Sequence, residues 1–224
     1  MRALDLDFML GLVPIILGYL PLTMFMAAVG MICALILGAL LAVERVARIP
    51  VLDQAVVVFI SFFRGTPLLV QLFLFYFGLP SLMPFMSGLT GVQATIIGLT
   101  LHFSAYMAES IRAAIQGVDR SQWEASEAVG MTRIQMMRRI ILPQAARVAA
   151  PTLMNYFIDM IKSTSLAFTL GVTEMMGATQ KEASSSFLFF ESFIVVALVY
   201  WVLVEALSFV QRRLETNLNK AFTR

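Results

Sequence analysis

Charge is scarce in this chain. Of its 224 residues 13% are Asp, Glu, Lys or Arg, against about a quarter in a soluble domain. Histidine and cysteine occur once each. Cys33 therefore has no partner for an intrachain disulfide, and no zinc or iron site can be built from nitrogen and sulfur ligands. The sequence has no G-x-x-x-x-G-K-[ST] to cradle a nucleotide phosphate, no H-E-x-x-H and no G-x-S-x-G, so nucleotide hydrolysis, zinc proteolysis and serine hydrolysis have no visible machinery. A net charge of +2 is too small to argue for nucleic acid. Apolar side chains, in contrast, are abundant at 59%, and the mean hydropathy is +0.84. A soluble body of this size needs more polar surface than that, so the surrounding medium is mostly lipid.

Residues 8–43 carry no formal charge. As one helix they would be ~54 Å long, nearly twice the ~30 Å hydrocarbon core. Pro14, Gly18 and Pro21 suggest a break, giving an interfacial helix over 8–18 and a first span over 20–43. Asp5 and Asp7 stand where a signal peptide would be basic, and no A-x-A site follows. A second apolar run, 54–79, is interrupted by Arg64-Gly65-Thr66-Pro67. The glycine and proline predict a break there, with 54–63 at the cytoplasmic interface and the span starting at Thr66. Further spans are predicted over 92–111, 146–165 and 190–211. The expectation is an all-α membrane protein, one domain over 1–224, with five transmembrane helices.

The basic residues fix its orientation. Arg45 and Arg48 follow the first span. Arg112, Arg120, Arg133, Arg138, Arg139 and Arg147 follow the third. Arg212, Arg213, Lys220 and Arg224 follow the fifth. These 12 of 16 basic residues share one side of a five-span chain, which predicts an N-terminus outside and a C-terminus in the cytoplasm.

The cytoplasmic loop over 119–143 contains two helix starts. Ser121-Gln122-Trp123-Glu124 and Thr132-Arg133-Ile134-Gln135 both read as capping boxes. Gly130 can take the left-handed conformation that ends the first helix, and Pro143 predicts a stop before the fourth span. A solvated connector would fit this pattern. A DNA-reading helix-turn-helix would not, because a loop tied at both ends to membrane spans can hardly enter a major groove.

Glu124-Ala125-Ser126, then Gly130, Ile140 and Leu142-Pro143, resembles the EAA pattern of binding-protein-dependent ABC importer permeases, with Ser126 where the third alanine usually stands. Arg64-Gly65-Thr66-Pro67 through Leu72, Ala105 through Ala113, and Thr164-Ser165-Leu166 with Gly171-Val172 resemble the branch for polar amino acids of the histidine, glutamate, glutamine, arginine and cystine type. The resemblance covers roughly residues 20–220. One departure is that the branch often reads Lys-Asp-Thr-Ser-Leu where this chain has Lys162-Ser163-Thr164-Ser165-Leu166, with an acid at Asp159 instead.

The resemblance implies a transport subunit, not an enzyme, with the type I importer permease architecture in a bacterial inner membrane. It implies a coupling helix between spans three and four that docks on a dimer of separate ATPase subunits, which bind the ATP and Mg. It also implies a second permease copy or paralogue, a periplasmic or lipid-anchored solute-binding protein, and a polar amino acid as substrate. Glu124, Ala125, Ser126, Gly130, Met131 and Arg133 would form the ATPase-coupling element. Trp123, Met131, Ile134 and Met137 would give it apolar contact area inside an arginine rim.

Ionisable residues inside spans are costly and mark candidate sites. Asn155, Asp159 and Lys162 fall at i, i+4 and i+7, one helical stripe. They are expected to face the substrate path together with Thr164 and Ser165. Asp159 and Lys162 would either neutralise each other or meet the ammonium and carboxylate of a zwitterion. Glu109 and Arg112 read as a helix-face ion pair, and His102 as a hydrogen-bonded packing residue. Two other functions compete. A stand-alone secondary transporter or channel for a small polar solute is disfavoured by the odd span count and the organised cytoplasmic loop. A membrane protease lacks its motifs. No metal site is expected.

Overall fold

The computed structural model describes residues 4–84 and 87–220, and among these there are helices and loops but no strand. Helix α1 (Leu6–Gly18) leads through a turn at Tyr19 into α2 (Leu20–Ala47). Then come α3 (Leu52–Gly65), α4 (Leu68–Leu82, π-wound over Leu74–Gly78) and α5 (Gly91–Gln116). The loop holds α6 (Arg120–Ala128) and α7 (Arg133–Met136). Helix α8 (Leu142–Ser163) tightens into a 3-10 segment, Thr164–Leu170. Helices α9 (Met175–Ser186) and α10 (Phe189–Lys220) complete the chain.

Helix α5 is the central post. Helix α2 lies along it because its inward stripe, Ala27, Ala34, Gly38 and Ala42, is small and buried. A Cβ at Gly38 would stand 2.9 Å from Met107 Cβ and 3.0 Å from the Ser104 carbonyl, so the backbones meet where only glycine fits. Without a hydrophobic drive between helices in lipid, such close packing is what holds them together. Leu72 of α4, Leu99, Phe103 and Met107 of α5 and Met160 and Ile161 of α8 fill the main core. The opposite faces of α2 and α10 expose Phe25, Ile32, Ile36, Leu40, Trp201 and Val202, as lipid contact demands.

By length and apolarity α2 and Phe189–Arg213 of α10 can cross a membrane, and the α3–α4 pair, bent by 110°, passes the same test as a broken third. Helices α5 and α8 have 26 and 22 residues, ~39 and ~33 Å of rise. Their apolar faces are diluted by groups such as Thr95, Ser104, Asn155 and Asp159, which puts them below that test.

The chain turns at Tyr19, between the helices expected over 8–18 and 20–43, with Pro14 inside α1. The break expected at Pro143 is different: Pro143 does not stop a helix. A π turn over Met137–Ile141 joins α7 to α8, placing Pro143 in the first turn of α8. There its missing N–H is tolerated, and Gln144 Nε2 donates to the Ile140 carbonyl at 2.9 Å.

Candidate functional site

The Arg64-Gly65-Thr66-Pro67 segment forms the break between α3 and α4. Thr66 and Pro67 are extended, and Gln71, one turn into α4, reaches back across it. Its Nε2 donates to the carbonyls of Phe63 (3.0 Å) and Thr66 (3.1 Å) and to Thr66 Oγ1 (2.8 Å). Gln71 is buried. Its Oε1 accepts from His102 Nδ1 on α5 at 3.1 Å, the oxygen requiring that Nδ1 carry a proton. His102 is thus the hydrogen-bonded packing residue the sequence suggested. Beside it, the Arg64 guanidinium lies 5.5 Å from the ring centroid of Tyr106, whose hydroxyl donates to the Arg64 carbonyl at 3.4 Å.

On α8, Asn155, Asp159 and Lys162 are exposed on one stripe of the chain's surface. Lys162 Nζ and Asp159 Oδ1 are 2.6 Å apart, each side chain about half exposed at 51%. Asn155 Oδ1 instead accepts from Gln211 Nε2 of α10 at 3.0 Å. Thr164 does not join them. It is fully buried, its hydroxyl donating to the Ile161 carbonyl at 2.6 Å. Ser165 is half-buried and donates to the Lys162 carbonyl. Glu109 and Arg112 form their pair at 2.6 Å.

The sequence reading overlooked Glu174. It is buried at the N-cap of α9, accepts from the amides of Met176 (3.0 Å) and Gly177 (2.8 Å) and from the Tyr200 hydroxyl (3.2 Å), and so ties α9 to α10.

In the cytoplasmic loop α6 starts one residue before Ser121, capped by Asp119, whose carboxylate accepts from the Ser121 amide at 2.8 Å. The capping box predicted at Ser121–Glu124 is therefore absent: Asp119 supplies the acceptor. Its hydrogen bonds with Ser121 hold its carboxyl below the usual aspartate range. Glu124 faces solvent and accepts from Arg120 Nε at 3.0 Å. Gly130 has φ +73°, with its amide bonded to the Glu127 carbonyl and the Met131 amide to the Ser126 carbonyl, a Schellman motif. The box of Thr132 and Gln135 is present and starts α7.

Ser126 packs inward and Ala125 is exposed. Trp123, Met131 and Met137 do not form an outward contact surface. They pack against Ile115, Met136 and Ile141 in the loop's own core. The large apolar side chains that face out furthest are Val129 (72% exposed) and Ile134 (78%). Arg133, Arg138 and Arg139 stand exposed around them.

Residues 34–220 match the model of the binding-protein-dependent transport system inner membrane component. The chain belongs to this family. It is 64% identical over 220 residues to a probable amino-acid ABC transporter permease protein of Vibrio harveyi, covering 98% of this chain and 99% of that one. It is 49% identical over 222 residues to a probable amino-acid permease protein of Bacillus subtilis (strain 168), covering 99% of each. A crystal structure of an amino acid ABC transporter with histidines superposes with a TM-score of 0.89 at 31% identity, covering 96% of this chain and 100% of that one. A methionine ABC transporter shares the fold at a TM-score of 0.72 and 21% identity, covering 96% of this chain and 99% of that one. This member of the permease family is therefore an inner-membrane transport subunit.

Proposed function

We propose that the chain translocates a polar amino acid as one half of a paired permease, with an ATPase dimer docked on the α6–Gly130–α7 turn and a solute-binding protein on the other side. The observation that carries this reading is the outward pair Val129 and Ile134 on a rigid, capped turn inside an arginine rim. Large apolar groups exposed beyond the apolar helices mark a contact surface, and the charged rim gives it orientation. Glu124 and Ala125 lie on the exposed face of α6 and would enter the ATPase first. Ser126 sets the close packing of α6 on the loop core, and Gly130, Met131 and Arg133 set the bend.

Five crossings by α2, α4, α5, α8 and α10, with α3 at the cytoplasmic interface, put the N-terminus outside and the loop in the cytoplasm, as the basic residues require. Helix α1 would then lie at the outer interface. The Asn155–Asp159–Lys162 stripe, with Ser165 at its end, faces the second permease copy and the path between them. Its ion pair opens to receive the ammonium and carboxylate of the solute. Relatives named for L-cystine and arginine transport, 36% and 32% identical, support an amino-acid substrate.

The test is reconstitution into proteoliposomes with and without the ATPase subunit. Uptake of an amino acid only when both the ATPase and ATP are present supports the proposal. Equal uptake without ATP would favour the stand-alone transporter.

A further inference from the structure

Of the cations on the helices of the bundle, Arg45 faces Asp53, Arg112 faces Glu109 and Lys162 faces Asp159. Arg64 differs from these three: among the described residues no carboxylate lies within ion-pair distance of its guanidinium, and an aromatic face takes that place, as Phe209 does for Arg213 near the end of α10. We propose that Arg64, seated on Tyr106, is a further binding group for the carboxylate of the transported solute, beside Lys162. This rests on reading the chain as an amino-acid permease and adds to it a residue whose place in that path the α8 stripe alone does not suggest.

The geometry supports this in three ways. Arg64 is exposed, so its donors are free to meet a ligand, yet it is held at the rigid break that Gln71 braces. Its contact with Tyr106 is doubly fixed, by the ring under the guanidinium and by the hydroxyl on the Arg64 carbonyl. Tyr106 is also continuous with the candidate path. Its ring centroid is 6.1 Å from that of Tyr156, which neighbours Asn155 on α8 and lies one turn from Asp159. The wall from Arg64 through Tyr106 and Tyr156 to the stripe therefore presents, among the described residues, a guanidinium with no ion-pair partner next to an acid and a base that are paired until the solute arrives. An unpaired cation beside hydrocarbon is costly until an anion meets it. A guanidinium presents a planar fork that matches a carboxylate in two parallel hydrogen bonds, which ammonium or amide groups cannot reproduce.

The experiment uses the permease complexed with its ATPase subunits, without binding protein, so that only the membrane path selects. Equilibrium binding of radiolabelled L-arginine, L-glutamine and L-cystine is measured in competition with each free acid and with its carboxamide. Wild type should prefer acid to amide. Arg64→Gln should weaken acid binding about tenfold or more and leave amide binding unchanged, with Arg64→Lys in between. Equal loss of acid and amide in Arg64→Gln would mean that the residue only shapes the bend, and would overturn the assignment. So would a wild type that binds acid and amide alike, a readout needing no variant. A wild type that binds neither while ATP-driven uptake with binding protein persists also overturns it, and leaves the transport function standing. Absence of ATP-driven uptake under every condition would instead refute the function.

Discussion

The side-chain amide of Gln71 donates to the backbone carbonyl of Phe63 across a 110° break between two helices. A carbonyl left without its helical partner at such a break needs another donor, most of all in lipid. Replacing Gln71 by Leu removes its donor from that carbonyl and from the Thr66 carbonyl, and its acceptor from His102 Nδ1, at once. We expect the Gln71→Leu complex to lose about 1–3 kcal/mol of stability, seen as a lower melting temperature in detergent. An unchanged melting curve would mean the bend is held by packing alone.

At Gly130 a side chain would meet no atom within 4 Å, so any effect of substitution comes from the positive φ. Asn tolerates that conformation better than Ala, and Ala better than the β-branched Val. Coupling of ATP hydrolysis to uptake should fall in the order Gly, Asn, Ala, Val while membrane insertion stays constant. A flat series would show that the bend is not used.

Glu124→Lys tests the exposed face of α6 separately. The Arg120–Glu124 pair is on the surface and contributes little to stability. The variant should insert and assemble normally yet hydrolyse ATP without transport. Uptake at the wild-type rate with normal hydrolysis would remove Glu124 from the docking surface.

Asp119 gives the loop a pH dependence. Its carboxyl is held below the usual range by Ser121, so the capped form is favoured above the unfolded-state pKa and lost as pH falls through the lower folded-state value. Hydrogen exchange of the α6 amides should quicken, relative to intrinsic rates, only in that acidic window. Asp119→Asn should flatten the profile, and a profile unchanged by Asp119→Asn would place the titrating group elsewhere.

Asp159 and Lys162 distinguish a substrate contact from a packing pair by a double-mutant cycle. For a substrate contact, Asp159→Asn and Lys162→Met each keep folded yield and lose transport, and the double variant stays inactive. Full transport in the double variant would leave only the internal pair.

What was legible in the sequence is mostly local. Gly130 and the Thr132–Gln135 box were readable because a cap involves neighbours three residues apart. The start of α6 was misplaced because Asp119, two residues before Ser121, offers a competing acceptor. The Gln71–His102 bond joins residues 31 apart and depends on how α4 lands on α5, which no local pattern states. Thr164 carried an unused signal: nine residues past Asn155, about 100° per residue puts it roughly half a turn from the stripe. The outward direction of Val129 and Ile134, with Trp123 turned inward, follows from how the α6–α7 turn folds on the end of α5. Periodicity in two helices of nine and four residues does not fix it.

The claim that the α6–Gly130–α7 turn receives the ATPase is tested most directly by crosslinking. In a Cys33→Ser background, single cysteines at Val129, Ile134 and, as a control, the exposed Phe187 are compared in the assembled complex. A thiol crosslinker should join the chain to the ATPase subunit from Val129→Cys and Ile134→Cys, with a yield that changes on adding ATP, and not from Phe187→Cys. Crosslinking no stronger at 129 and 134 than at 187 would contradict the account.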